Sequence, residues 1–192
     1  MIAETTTLQE LLGERLLKIA EKHAGTYFCV APNDLLETLT ALRDRHDYKF
    51  FSECIGADYS TWTHERDLSG RFEVVYNLLS LSTGNRVFVK TSVSDGESIP
   101  SAMPVFQGAE YPEKEIGDMY GIKFTGNELN PGERFMLPDD WVGFPLRKEY
   151  PLGGEDVLFD LGTKGPAVED KSIPHAGESF EGKTGTEEVS GR

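Results

Sequence analysis

Tyr111-Pro-Glu-Lys-Glu-Ile-Gly-Asp-Met-Tyr-Gly-Ile-Lys-Phe124, joined by a connection to Trp141-Val-Gly-Phe-Pro-Leu-Arg-Lys-Glu-Tyr-Pro-Leu152, is the stretch on which the fold turns. Its first half reads as a short helix over 112–120. Pro112 suits a first helical position, where its missing N–H costs nothing. Glu113 and Glu115 lie in the first turn, where the positive dipole end favours carboxylates. Ile116, Met119 and Tyr120 form an i, i+3, i+4 apolar stripe, and Gly121 provides a left-handed stop. The second half is bracketed by Pro145 and Pro151, which bias their preceding residues away from the helix. It is expected as an extended strap presenting Arg147, Lys148 and Glu149. The acidic helix, with Glu113, Glu115 and Asp118, and the basic strap invite ion pairing, within the fold or across a partner interface.

Upstream, Thr7 and Glu10 make a capping-box pattern, and Leu8, Leu11, Leu12, Leu16, Ile19 and Ala20 keep helical spacing, so a helix is expected over 8–23. Thr26 to Val30 reads as a strand by its aromatic and β-branched content. A second helix starts around Pro32, Asp34 and Glu37, with Leu35, Leu36, Leu39 and Leu42 as its stripe. Lys49 to Trp62 reads as a strand with a bulge expected at Gly56. Phe72, Val74, Tyr76 and Leu78 alternate, Ser82-Thr-Gly-Asn85 is turn chemistry, and Val87, Val89 and Val93 return, which makes a hairpin. Ser101 to Gln107 is read as a short helical turn. The order α-β-α-β-β-β-α is not βαβ alternation. It predicts an α+β fold, a small mixed or antiparallel sheet with helices on one side, over residues 1–152.

The 192 residues suit one domain, and a hydrophobic content of 38% is low. Residues 153–192 contain eight glycines, nine acids and four bases. They are expected as an extended tail, disordered or ordered only on a partner, with Val157, Leu158, Phe159 and Leu161 as its anchor. The tail carries −5 of the formal net charge of −14, so the acidity is spread along the chain. Such a charge argues against nucleic acid and anionic lipid as partners. No run approaches the ~20 apolar residues of a membrane span. The first residues lack the basic region of a targeting segment, and a cytoplasmic, reducing compartment is expected. The two cysteines, Cys29 and Cys54, offer no disulfide framework or iron–sulfur site and read as small buried hydrophobes.

Several motifs carry less than they promise. Gly177-Glu-Ser-Phe-Glu-Gly-Lys-Thr184 matches the phosphate-loop pattern, but no buried strand precedes it, and Glu178 and Glu181 would repel phosphates. No dinucleotide fingerprint follows a strand. His23, His46, His64 and His175 lack metal-binding spacing. Ser60, His64 and Asp67 resemble a hydrolytic triplet without a nucleophile elbow. Glu113, Glu115 and Asp118 could do acid–base work as a stand-alone enzyme, because clustered carboxylates raise one another's pKa; structural ion pairing with the nearby cations is the competing use.

Glu113-Lys-Glu-x-x-Asp118-Met-x-Gly-Ile122 and then Gly143-Phe-Pro-Leu-Arg-Lys-Glu-Tyr-Pro-Leu152 resemble the paired signature of the complex I 30 kDa subunit family, stand-alone form. Departures are Lys114 for the usual Arg, Phe144 for His, Glu149 for Asp, and Tyr111 near a common Trp. The resemblance implies an α+β fold and a cofactor-free structural subunit in the peripheral arm of a proton-translocating NADH:quinone oxidoreductase. It implies packing against the 49 kDa subunit, with the iron–sulfur (Fe–S) subunits of the peripheral arm as neighbours. FMN and Fe–S clusters would then sit in partner chains, with no catalytic, cofactor or metal residue here. The place implied is the cytoplasmic side of the bacterial inner membrane, as a peripheral protein. Equivalent subunits of a cyanobacterial or chloroplast-type dehydrogenase, an F420H2 dehydrogenase or a membrane-bound hydrogenase share the same signature.

Overall fold

The computed structural model describes residues 12–150. Its elements are β1 (Leu16–Lys22), β2 (Gly25–Val30), α1 (Leu35–His46), β3 (Phe50–Asp58), β4 (Phe72–Leu79), β5 (Arg86–Val93), β6 (Ser98–Pro100), α2 (Glu110–Tyr120) and β7 (Lys123–Thr125). Five strands form one sheet in the order β1-β2-β5-β4-β3, and β6 and β7 form a separate pair. Within the large sheet only β2–β5 is parallel; β1–β2, β3–β4 and β4–β5 are antiparallel.

Alternation decides which face is buried. Phe72, Val74, Tyr76 and Leu78 of β4, with Val87, Val89 and Val93 of β5, point into one core. Leu35, Leu39 and Leu42 of α1 and Ile116 of α2 belong to the same cluster, so both helices cover the same side of the sheet. This is the α+β arrangement the element order predicts. Cys29 and Cys54 are both free and buried.

The expectation of a helix through residue 23 is corrected. Leu12 ends a helical turn, but Leu16–Lys22 is a strand, hydrogen-bonded to β2 from Leu16↔Val30 to Lys22↔Gly25. The pairing register shifts between Leu16 and Lys18. The extra residue, Leu17, is exposed, while Leu16 and Ile19, three apart, both pack on the core. A bulge therefore reproduces the i, i+3 spacing that reads as helical. Thr7, Glu10 and the leucines before Leu12 lie outside the described residues.

The irregularity in β3 also moves. It falls between Phe51 and Glu53, while Gly56 pairs in register with Val74. Gly56 has a different use. A Cβ there would lie 2.9 Å from Ile116 Cγ2 and 3.1 Å from the Tyr120 ring, so its bare backbone lets α2 lie directly on β3. The short parallel pair β6–β7, which the sequence pattern did not predict, flanks α2 on either side in the chain. Val105 and Phe106 N–H groups close a turn on the Ala102 carbonyl.

The opposite face of the sheet carries ions rather than water-exposed charges alone. Glu73, fully buried, pairs with Lys90 at 2.5 Å and Arg66 at 3.3 Å, and Asp67 receives Lys18 and Lys22 at 3.0 and 3.1 Å. The 59–70 connection thus covers this face through Arg66 and Asp67.

Gly56→Ala should lower the unfolding free energy by about 1–3 kcal/mol, as overpacking a fitted contact does, in urea unfolding of the full chain. A variant as stable as the parent would mean that α2 does not depend on that close approach.

Candidate functional site

The three carboxylates of α2 leave the helix in three directions. Glu113 is fully buried and turns to the core. Its Oε1 accepts from the Ala102 N–H at 2.7 Å and the Tyr76 hydroxyl at 3.2 Å. Its Oε2 accepts from the Ser101 hydroxyl at 2.6 Å and the Asn127 side-chain amide at 3.0 Å. Two donors per oxygen use the accepting capacity of a carboxylate. Among the described residues no lysine or arginine pairs with Glu113. Burial pushes the neighbouring Tyr76 hydroxyl and Cys54 thiol well up from their ordinary values, and the Glu113 charge adds to both.

Asp118, also buried, turns toward the connection after β7. Its Oδ1 lies 3.0 Å from Arg134 Nη1, and its Oδ2 accepts the N–H groups of Phe135, Met136 and Leu137 at 3.2, 2.8 and 3.0 Å. Three successive amides on one oxygen fix that connection against the helix. Glu115 alone faces solvent. Because Glu113 and Asp118 are enclosed by donors, the three do not assemble an accessible acid–base group.

The strap differs from the extended form expected. The Arg147 N–H donates to the Phe144 carbonyl and the Tyr150 N–H to the Arg147 carbonyl, two successive turns. Pro145 occupies the second position of the first turn, where its fixed φ fits as well as it does in extended chain. The strap closes the end of α2: the Leu146 N–H donates to the Met119 carbonyl at 3.2 Å, and Arg147 Nε to the Tyr120 carbonyl at 2.7 Å. These carbonyls have no partner within the helix and carry its negative dipole end, so a cation suits the position. Gly121, at φ +74°, ends the helix, and a Cβ there would lie 2.6 Å from the Phe144 ring and 2.8 Å from Arg147 Nη2.

The pairing partners of the strap come from the sheet, not from α2. Arg147 places both terminal nitrogens on Asp95, at 3.0 and 2.9 Å, and its guanidinium lies over the Phe72 and Phe144 rings. Asp95 also receives Arg71 at 3.0 Å. Arg71 in turn grips Asp58 at 2.9 Å and pairs with Glu149. Lys148 contributes its backbone N–H, 3.0 Å from Asp58 Oδ2, while its side chain is exposed. Arg147 lies 3.6 Å from Glu149. The result is a clasp of two arginines and three acids joining the end of β3, the start of β4, the 94–97 turn and the strap.

Asp58, Arg71, Asp95, Arg134, Tyr76, Ser101 and Asn127 all act here, and the sequence pattern singles out none of them as a site residue. Each is an ordinary polar residue in a strand end or turn, far in sequence from its partner. The Ser60, His64, Asp67 triplet is not a catalytic unit: the Ser60 N–H donates to Asp58, Asp67 is held by lysines, and His64 rests edge-on against Trp62. Among the described residues no group of three His, Cys, Asp or Glu could hold a metal, and no helix is long and apolar enough to cross a membrane. The phosphate-loop pattern at 177–184 and the anchor Val157, Leu158, Phe159 and Leu161 lie outside the described residues.

Comparison with known proteins covers this same region. A family model described as the 30 kDa subunit of respiratory-chain NADH dehydrogenase matches residues 28–156. The C-type NADH-quinone oxidoreductase subunit of Rickettsia bellii is 42% identical over 144 residues, covering 73% of this chain and 69% of the relative. The protein of the same description from Roseiflexus castenholzii is 38% identical over 155 residues, covering 79% and 84%. Among solved structures, a trypsin-resistant fragment (1–134) of Nqo5 aligns with a TM-score of 0.58 at 26% identity, covering 68% of this chain and all of the fragment.

The clasp has a pH signature. Burial alone would raise the Asp58 carboxyl, but hydrogen bonds from Arg71 and from the Lys148 and Ser60 N–H groups outweigh it and hold the carboxyl well below the usual carboxylate range. A depressed folded value stabilises the fold above the unfolded value of 3.8, and this contribution drains away as pH falls below it. Asp58→Asn should therefore cost about 2–4 kcal/mol at pH 7 in urea unfolding. The difference from the parent should stay level down to about pH 5 and narrow steadily below about pH 4. A difference that does not narrow in acid would contradict the role assigned to this charge.

Proposed function

This chain belongs to the 30 kDa subunit family of respiratory-chain NADH dehydrogenase, and we propose that it serves that complex as a brace rather than as a redox carrier. The observation that carries the reading is the family match over residues 28–156, which takes in the sheet, α2, its C-terminal strap and the clasp. In this reading the chain holds no cofactor of its own. FMN and Fe–S clusters belong to partner subunits, and the chain packs against the 49 kDa subunit in the peripheral arm while electrons pass from NADH to quinone. The Fe–S subunits of that arm are the further neighbours, on the cytoplasmic side of the bacterial inner membrane, with proton translocation carried out elsewhere in the complex.

The geometry supports a brace. Glu113, Asp118, Arg147 and Glu149 all have partners inside the chain, and these join segments far apart in sequence. Their effect is to give α2 and the strap one fixed shape. A rigid surface loses little conformational freedom on association, which favours assembly. The relatives, from different bacteria, are all described as subunits of NADH-quinone oxidoreductase, which favours that complex over the hydrogenase and F420H2 alternatives.

Deleting the chain in its source cell and restoring it tests the proposal. The expected outcome is loss of both the assembled complex on native gels and NADH:quinone activity in membranes, each recovered on restoration, while the purified chain binds no flavin and oxidises no NADH. Quinone-linked turnover in a complex without the chain, or flavin and NADH chemistry in the chain alone, would overturn it.

A further inference from the structure

We propose that the outward face of α2, centred on Glu115, is the surface that docks a neighbouring subunit of the complex, and that this neighbour brings an apolar surface bearing an arginine or lysine to Glu115. The inference rests on the brace reading and adds to it the place of contact and the chemistry of the partner.

Four large apolar side chains frame Glu115 and are exposed: Tyr111 at 62%, Phe135 at 37%, Met136 at 57% and Leu146 at 50%. Their contacts bring them to one helical surface. Tyr111 is one turn before Glu115 and stacks on Phe135 at 5.8 Å. Met136 is held by its N–H to Asp118, and Leu146 by its N–H to the Met119 carbonyl. Asp118 and Met119 are three and four residues beyond Glu115, the spacing of helix-surface neighbours. Both flanking segments are pinned by buried or capped groups, so the face is formed before any partner arrives.

Charge selects the occupant. Glu115 has no partner among the described residues, and the adjacent Lys114 is engaged by Glu110 at 2.9 Å. Covering a lone carboxylate with an apolar surface is costly unless a cation meets it. Arginine suits the role, since it pairs two-pronged and stacks on aromatic rings such as Tyr111. A net charge of −14 also draws a basic partner and repels an anionic lipid surface. A second copy on a two-fold axis would bring one Glu115 face against another, like charge to like.

The test uses the full chain in cells that make the complex. Glu115→Arg and Met136→Asp, both surface changes, should leave the melting temperature of the isolated chain within about 2 °C of the parent. Each should cut the share of chain in the assembled complex about tenfold. A benzophenone attached at Met136→Cys in the purified complex should crosslink to a different subunit, and a Lys or Arg→Glu change at the crosslinked site should restore Glu115→Arg. Normal incorporation of both variants, ready labelling of Met136→Cys by a water-soluble maleimide in the assembled complex, or adducts only to lipid or to another copy of this chain would overturn the proposal alone. Absence of the parent chain from the purified complex would overturn the brace reading and this proposal with it.

Discussion

Glu113 takes a carboxylate into the interior, and its two oxygens gather donors from three separate places: Tyr76 in β4, the Ser101–Ala102 bend after β6, and Asn127 after β7. Removing an ion of this size from water costs several kcal/mol even after relaxation. Hydrogen bonds to a charged group return about 1.5–3 kcal/mol each, so four together are of the size required. Fewer would leave the helix carrying an uncompensated charge. The position of α2 on the sheet and the seating of the β6–β7 pair follow from meeting this demand.

With α2 fixed at its first turns, the rest of the seat follows along the helix. Asp118 draws in the amides of Phe135, Met136 and Leu137, and the carbonyls of Met119 and Tyr120 receive the strap. Gly56 and Gly121 are the two places where backbone must be bare, one under the helix and one at its end. Arg147 then joins the helix end to the sheet through Asp95, Arg71 and Asp58. A family signature spread over two segments thus corresponds to one piece of structure in which most of the charged residues are satisfied internally.

How much of this is legible in the sequence depends on range. The hairpin of β4 and β5 announces itself because period-2 alternation is local and unbroken. α1 and α2 do so through leucine spacing and the stop at Gly121. The strand at Leu16–Lys22 reads as helix because a bulge at Leu17 puts residues three apart on one face, and β3 misleads because its bulge lies at Ser52 rather than at Gly56. The charged motif residues are visible, but their partners are not: Glu113 with Tyr76, or Arg147 with Asp95, lie dozens of residues apart, and only the folded topology brings them together. Proline adds a further ambiguity, since Pro145 fits a turn as well as an extended strap.

Glu113→Gln tests the organising role of the buried carboxylate most directly, because glutamine keeps the shape but replaces one accepting oxygen with a donor among donors. The fold described here predicts a loss of about 2–3 kcal/mol in unfolding free energy, with faster hydrogen exchange at the Ala102 amide. A Gln variant as stable as the parent, or more stable, with Ala102 exchange unchanged, would show that the buried charge is a burden the fold tolerates and not the contact that positions α2.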